Sequence, residues 1–210
     1  VWTVIPLLLV IAIAIYSTNI NSTLKNLGSK SKYDPQKDLI QNSELGQNIS
    51  DAPIDVIARQ WNWEFVYPEG FSSSELHLPI NNKINFRLIS KDVLHGFYIP
   101  AFRLKQDIIP GSVIEYSLTP TRTGVYRLRD SMFSGTYFSE NQTNVIVESE
   151  DSYHNWINKT VKKVPVSGLN QAGILYKKRL EKGNRGWATV PPKSSPMVNE
   201  PGDYLQPHEG

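Results

Sequence analysis

The 210-residue chain contains no cysteine. That absence removes every disulfide, every thiolate metal ligand and every thiol nucleophile from the chemistry open to it. Sulfur is confined to Met132 and Met197, so soft metal donors are nearly missing as well. No glycine-rich phosphate loop stands out, nor any paired acid and base or nucleophile beside a base, and hydrolase chemistry has no support. A strong charge of one sign is also lacking. The net charge is +2, with 9 basic and 12 acidic side chains in residues 52–157 and 9 and 4 in residues 158–210. A mildly acidic middle and a basic tail do not make the dense basic face that nucleic acid requires.

Long apolar runs are missing after the first sixteen residues, VWTVIPLLLVIAIAIY, which carry no charge. As a helix they would rise about 24 Å, short of the roughly 30 Å hydrocarbon core of a bilayer. A truncated transmembrane helix over 1–18 is the expectation. A signal-peptide core fits less well, because a basic leader and a small-residue cleavage site are both missing. Residues 19–51 are polar, rich in Asn and Ser, and read as a linker.

From Ile54 the apolar pattern has period two. Ile57, Trp61, Trp63, Phe65 and Tyr67 share one face of a single long strand ended by Pro68-Glu69-Gly70. Shorter strands follow around Leu76–Ile80, Ile84–Leu88, Ile114–Leu118, Gly124–Leu128 and Asn144–Val147. Short strands with Pro-Gly and Thr-Gly turns predict an all-β sandwich or barrel over 52–157. One short helix closes it, capped by Asp151 or Ser152, with Tyr153, Trp156, Ile157 and Val161 at helical spacing. Residues 158–210 read as a basic, largely irregular tail.

Five motifs occur in a fixed order: WTVIP at Trp2–Pro6, QWNWEFVYPE, ELHLP, DVLHGFYIPAFRLKQDIIPG from Asp92 to Gly111, and the closing Thr-Gly-Val-Tyr strand. Together they resemble subunit II of the cytochrome c oxidase family of haem-copper terminal oxidases. The resemblance implies a cupredoxin-like Greek-key domain, anchored in the membrane and lying on its periplasmic or lumenal side. In copper-bearing members the loop after the last strand reads Cys-x-Glu-x-Cys-Gly-x-x-His-x-x-Met. Here it reads from Asp130 to Asn141 without a gap, with Asp130 and Ser134 at the cysteine positions, Met132 at the Glu, Phe138 at the second His and Asn141 at the Met. Of the copper ligands only His95 remains. A His beside Gly96 and Phe97 is more commonly a hydrogen-bonded, half-buried side chain. With His77 it offers at most a mononuclear copper or zinc site, so no cofactor is expected on this chain.

Copper-free quinol oxidases are similar, their loop also carrying a Ser-Gly and a Phe where Ser134, Gly135 and Phe138 stand. The cyanobacterial alternative respiratory terminal oxidases are the nearest in flavour. The resemblance then implies a non-catalytic subunit in a bacterial plasma or thylakoid membrane. Its partners would be subunit I, which holds the haem and copper, and subunit III, with quinol as donor. Arg103, Lys105 and Asp107 would meet subunit I near its haem propionates, and Trp61 and Trp63 are further interface candidates. In copper-bearing relatives the residue at Trp61 resembles the entry point for electrons from a c-type cytochrome; without copper its expected role is packing. Two alternatives stand beside this reading: electrons from a c-type cytochrome or plastocyanin through Trp61, or a membrane-tethered metal carrier or assembly module.

Overall fold

The computed structural model describes residues 4–24, 52–183 and 189–203. The apolar N-terminal stretch is helical, α1 (Val4–Leu24), and its large apolar side chains from Val4 to Tyr16 are exposed. Among the described residues no helix is long and apolar enough to cross a membrane. Helix α1 continues past the boundary expected at 18, and the linker from residue 25 to 51 lies outside the described residues.

Beyond the linker the chain builds two five-stranded sheets. The first has the order β3 (Ser72–Ser73), β2 (Asn62–Val66), β1 (Ile54–Arg59), β5 (Ile84–Ser90), β8 (Val113–Leu118). The second has the order β4 (Leu76–Pro79), β10 (Gln142–Glu148), β9 (Gly124–Asp130), β6 (His95–Ile99), β7 (Leu104–Ile108). Pairing is antiparallel except for β1 with β5 and β4 with β10. Where one face of a strand meets the core the side chains alternate, as in β10, which buries Thr143, Val145 and Val147. Val56, Phe65, Phe86 and Leu88 of the first sheet and Leu76, Leu78, Phe97 and Leu128 of the second form one core. The predominantly β expectation holds.

The single long strand expected from Ile54 to Tyr67 is instead a hairpin. Gln60 and Trp61 form a two-residue turn, and β1 and β2 pair with Ala58 opposite Trp63 and Val56 opposite Phe65. Pairing of Ala58 with Trp63 flips the inward face from even positions before the turn to odd positions after it, and Ile57 and Trp61, apolar and buried outside the main core, carry the odd series across the turn and mask that shift in the sequence. Its consequence is local: Trp63, Phe65 and Tyr67 enter the main core with Ile54, Val56 and Ala58, while Trp61 packs in a separate cluster. The turn is fastened by Asp92, whose Oδ2 accepts from Gln60 N at 2.8 Å, and by the Arg59–Glu64 ion pair across it at 2.6 Å.

Helix α2 (Glu150–Thr160) closes the sandwich and buries Tyr153 and Ile157, with Trp156 packed on the core. Its cap is Ser149 rather than Asp151 or Ser152, accepting from Ser152 N at 3.3 Å. Glu150 and Asp151 then lie in the first turn, where the helix dipole favours negative charge. The tail read as largely irregular carries short regular elements among its described residues. It forms β11 (Val166–Ser167), a second helix α3 (Gln171–Glu181) and β12 (Met197–Val198). Ala172, Leu175 and Tyr176 recur at helical spacing among the lysines and pack over Trp61. The strap from 189 to 203 is tied to the first sheet through Lys193 N to Gln60 O (2.6 Å), Asn199 N to Ser72 O (2.8 Å) and Ser74 N to Glu200 O (2.8 Å).

Candidate functional site

The degenerate loop positions converge at one end of β6 and β9. The antiparallel register sets Phe97 opposite Asp130 and so brings His95, at the start of β6, beside the end of β9. His95 is fully buried and donates from both ring nitrogens: Nδ1 to Asp130 Oδ2 at 2.6 Å and Nε2 to Asp92 Oδ1 at 2.8 Å. A neutral imidazole has one N–H, so two carboxylate acceptors select the imidazolium. Asp130 is the hub. Its Oδ1 accepts from Gly96 N (2.8 Å) and Met132 N (3.0 Å), and its Oδ2 also accepts from Ser134 Oγ (2.9 Å) and Asn141 Nδ2 (3.1 Å). Two carboxylate oxygens offer about four lone-pair sites. Five donors leave the hub saturated.

The loop is locked to the two tryptophans as well. Trp61 Nε1 donates to Ser134 Oγ at 3.1 Å, and Trp63 Nε1 to Asn141 O at 3.0 Å. Gly135 has φ +121°, and a Cβ there would lie 2.7 Å from Trp61 Cζ2, so only glycine lets the loop close over this ring. Tyr137 meets Trp61 edge-on with ring centroids 5.3 Å apart. Phe138, half-buried, packs edge-on against Phe133 on the outside of the loop.

Burial opposes charge on His95, but the hydrogen bonds to Asp130 and Asp92 outweigh it and hold its pKa above the ordinary imidazole value. Burial also opposes ionisation of Asp130 and Asp92; their hydrogen bonds with His95 and with backbone amides hold both below the usual carboxylate range. The signs differ. The carboxylates contribute stability that is full above about pH 4 and lost as pH falls through their lowered folded values. His95 contributes stability that is full below about pH 6.5 and lost as pH rises through its raised folded value. His77 is pushed down by burial against its Glu148 hydrogen bond, so its titration acts in the opposite sense. We predict that urea midpoints of the wild type decline on the alkaline side relative to those of His95→Gln. Parallel pH profiles for the two proteins would contradict this assignment.

His77 and His95 are not brought together. His77 pairs with Glu148 at 2.8 Å and stacks on Trp156 with ring centroids 3.9 Å apart, sharing no partner with His95. Among the described residues no group of three or more His, Cys, Asp or Glu side chains is arranged to hold a metal ion. The donor set itself does not fit a dinuclear copper. Such a centre needs bridging thiolates, whereas Asp130 and Ser134 offer hard oxygens already committed to hydrogen bonds, and both His95 nitrogens face carboxylates.

Of the interface candidates, Arg103 and Lys105 are exposed and Asp107 half-buried, with Lys105 and Asp107 on the outer face of β7. The tryptophans take the packing role expected of them, but not on one shared strand face. Trp61 and Trp63 are 1% and 3% exposed, and hairpin formation has turned them to different clusters. Both serve packing in this chain. Sequence reasoning missed Asp92 as the second partner of His95, although its spacing three residues before that His was a usable signal. Tyr137 and helix α3 over Trp61 had no comparable signal, since that contact joins distant segments.

The arrangement matches a known family. Residues 71–147 match the family "Cytochrome C oxidase subunit II, periplasmic domain". Cytochrome c oxidase subunit 2 of Thermostichus vulcanus is 31% identical over an alignment covering 79% of this chain and 61% of that protein. Cytochrome bo(3) ubiquinol oxidase subunit 2 of Buchnera aphidicola subsp. Schizaphis graminum is 30% identical, covering 76% of this chain and 50% of that one. The chain thus spans between half and two thirds of the length of these relatives. The crystal structure of the periplasmic domain of subunit II of Bradyrhizobium japonicum cytochrome oxidase overlaps 52% of this chain and 92% of its own, at 24% identity and a TM-score of 0.49. With three of the five motifs inside the matched residues and the other two before them in the same order, the chain belongs to the cytochrome c oxidase subunit II family.

Proposed function

We propose that this chain is a copper-free subunit II of a membrane haem-copper oxidase that draws electrons from quinol, and that its role there is structural. One observation carries the reading. Both cysteine positions of the copper loop are taken by oxygen side chains, and these are consumed in a saturated network with the one retained ligand, His95. Electrons then have no relay in this domain and enter the partner subunit directly. A ubiquinol oxidase subunit among the relatives supports that donor class.

In this reading the apolar helix α1 belongs to the membrane anchor, and the β domain lies on the periplasmic or lumenal side of a bacterial plasma or thylakoid membrane. Its outer surface, with Arg103, Lys105 and Asp107, contacts subunit I, where haem and copper reduce oxygen to water, and subunit III completes the complex. Donation by a c-type cytochrome or plastocyanin through Trp61 is disfavoured because Tyr137 and Ala172 cover that ring. A lone metal carrier is disfavoured because both His95 nitrogens hold protons toward carboxylates and the lone pairs of Asp130 are already committed.

The test is a purified complex supplied with each donor in turn. Rapid oxygen uptake with quinol and none with reduced cytochrome c or plastocyanin is the expected result. Turnover with the soluble donors and inert quinol would overturn the reading.

A further inference from the structure

A cavity of about 20 Å³ lies where the start of α3 meets the β1–β2 hairpin and β10. Trp61, Asn62 and Trp63 of the hairpin, Ser74, and Leu169 and Gln171 of the tail are among its walls. Three of these residues carry a fully buried polar atom with no partner among the described residues: Asn62 Oδ1, Ser74 Oγ and Gln171 Oε1. The Asn62 amide orientation is set by its Nδ2, which points at the carbonyl oxygens of Lys193 and Ser194 at 3.5 and 3.4 Å and leaves Oδ1 as the unpaired end. Ser74 is brought to this junction by Gly168, where a Cβ would stand 2.4 Å from its Oγ.

Buried polar atoms in native proteins are almost always satisfied, and three orphans around one small space share one remedy. We propose that this cavity binds a single ordered water that fastens the first turn of α3 to the β domain. The size fits, since one water needs a cavity of about 10–15 Å³ or more. The valence fits too. The water donates to Asn62 Oδ1 and to Gln171 Oε1 and accepts from the Ser74 hydroxyl, making the three hydrogen bonds typical of buried water. One molecule thereby links the β1–β2 hairpin, the segment after β3 and the first turn of α3, and holds the lid over Trp61 in register.

The test is a high-resolution crystal structure of the full chain, with Gln171→Met beside it. The expected result is one spherical density peak about 2.7–3.2 Å from all three oxygens. In Gln171→Met that peak is lost or weakened, and hydrogen exchange at the Leu169 amide, which donates to Pro201 O, rises about tenfold, the effect of one lost hydrogen bond. A dry cavity would overturn the proposal. So would a peak that anomalous scattering after a rubidium soak identifies as a cation, or a peak and exchange rate unchanged in Gln171→Met.

Discussion

Asp130→Ala lowers the stability of this domain by about 3–5 kcal/mol, the usual cost of removing one partner from a buried ion pair. The substitution strands a fully buried His95 beside Asp92 alone. It also leaves Gly96 N, Met132 N, Ser134 Oγ and Asn141 Nδ2 without their acceptor. A surface carboxylate would cost far less, so the magnitude is the diagnostic. In the purified protein the urea midpoint falls, and the melting temperature drops by roughly 10 °C or more. Asp130→Asn keeps the shape but not the charge, and it lowers the His95 pKa as read by NMR titration. A loss in Asp130→Ala no greater than about 0.5 kcal/mol, as at an ordinary surface position, would show that the loop is held by something other than this hub.

The second large effect is the converse experiment, because by the family resemblance the loop from Asp130 to Asn141 aligns without a gap on that of copper-bearing members. Asp130→Cys, Met132→Glu, Ser134→Cys, Phe138→His and Asn141→Met together are expected to confer binding of two copper ions per chain, with strong visible and near-infrared absorption. The wild-type chain, treated identically, shows neither. The reason lies in donor type. Two thiolates supply the soft bridging ligands that oxygen cannot, and removing Asp130 frees the Nδ1 side of His95 from its hydrogen bond. Restoring one cysteine alone is expected to fail, since a single thiolate cannot bridge in the required way. A folded fivefold variant that takes up no copper would mean that the backbone of the loop, and not only its side chains, has left the copper-binding geometry.

How much of this was legible beforehand depends on the range of each interaction. The short strands and their inward residues, Leu76, Leu78, Phe86, Leu88, Val145 and Val147, follow from period-two burial, a property that neighbouring residues carry themselves. The Gln60-Trp61 turn escaped because Ile57 and Trp61 are themselves apolar and continue the odd-numbered series of Trp63, Phe65 and Tyr67, hiding the change of inward face from Ile54, Val56 and Ala58. Ser149 as the cap escaped by a few positions for a related reason: Ser149, Asp151 and Ser152 are all good capping types, and only the extended backbone at Ser149 chooses among them.

Helix α3 carried a readable signal in Ala172, Leu175 and Tyr176. It was outweighed by the lysines, prolines and glycines around it. The cover that α3 and Tyr137 place over Trp61 could not be read at all, since it joins residues 61, 137 and 172 from three parts of the chain. The burial of Trp61 and Trp63 agrees with the packing expected of them, but their division between two clusters could not be read from their spacing.

By itself the sequence determined which chemistry is closed to this protein, because composition is a local fact: no cysteine means no thiolate, wherever the chain goes. Through the order and spacing of motifs it also pointed to the loop where the family resemblance places copper ligands that this chain does not carry. Only the tertiary structure decided what replaced them. Asp92, His95, Asp130, Ser134 and Asn141 form a network because β6 and β9 pair in one register and the hairpin turn lands on Asp92. Such contacts between distant segments, formed where water is excluded, turn an unremarkable aspartate into the buried hub of the site.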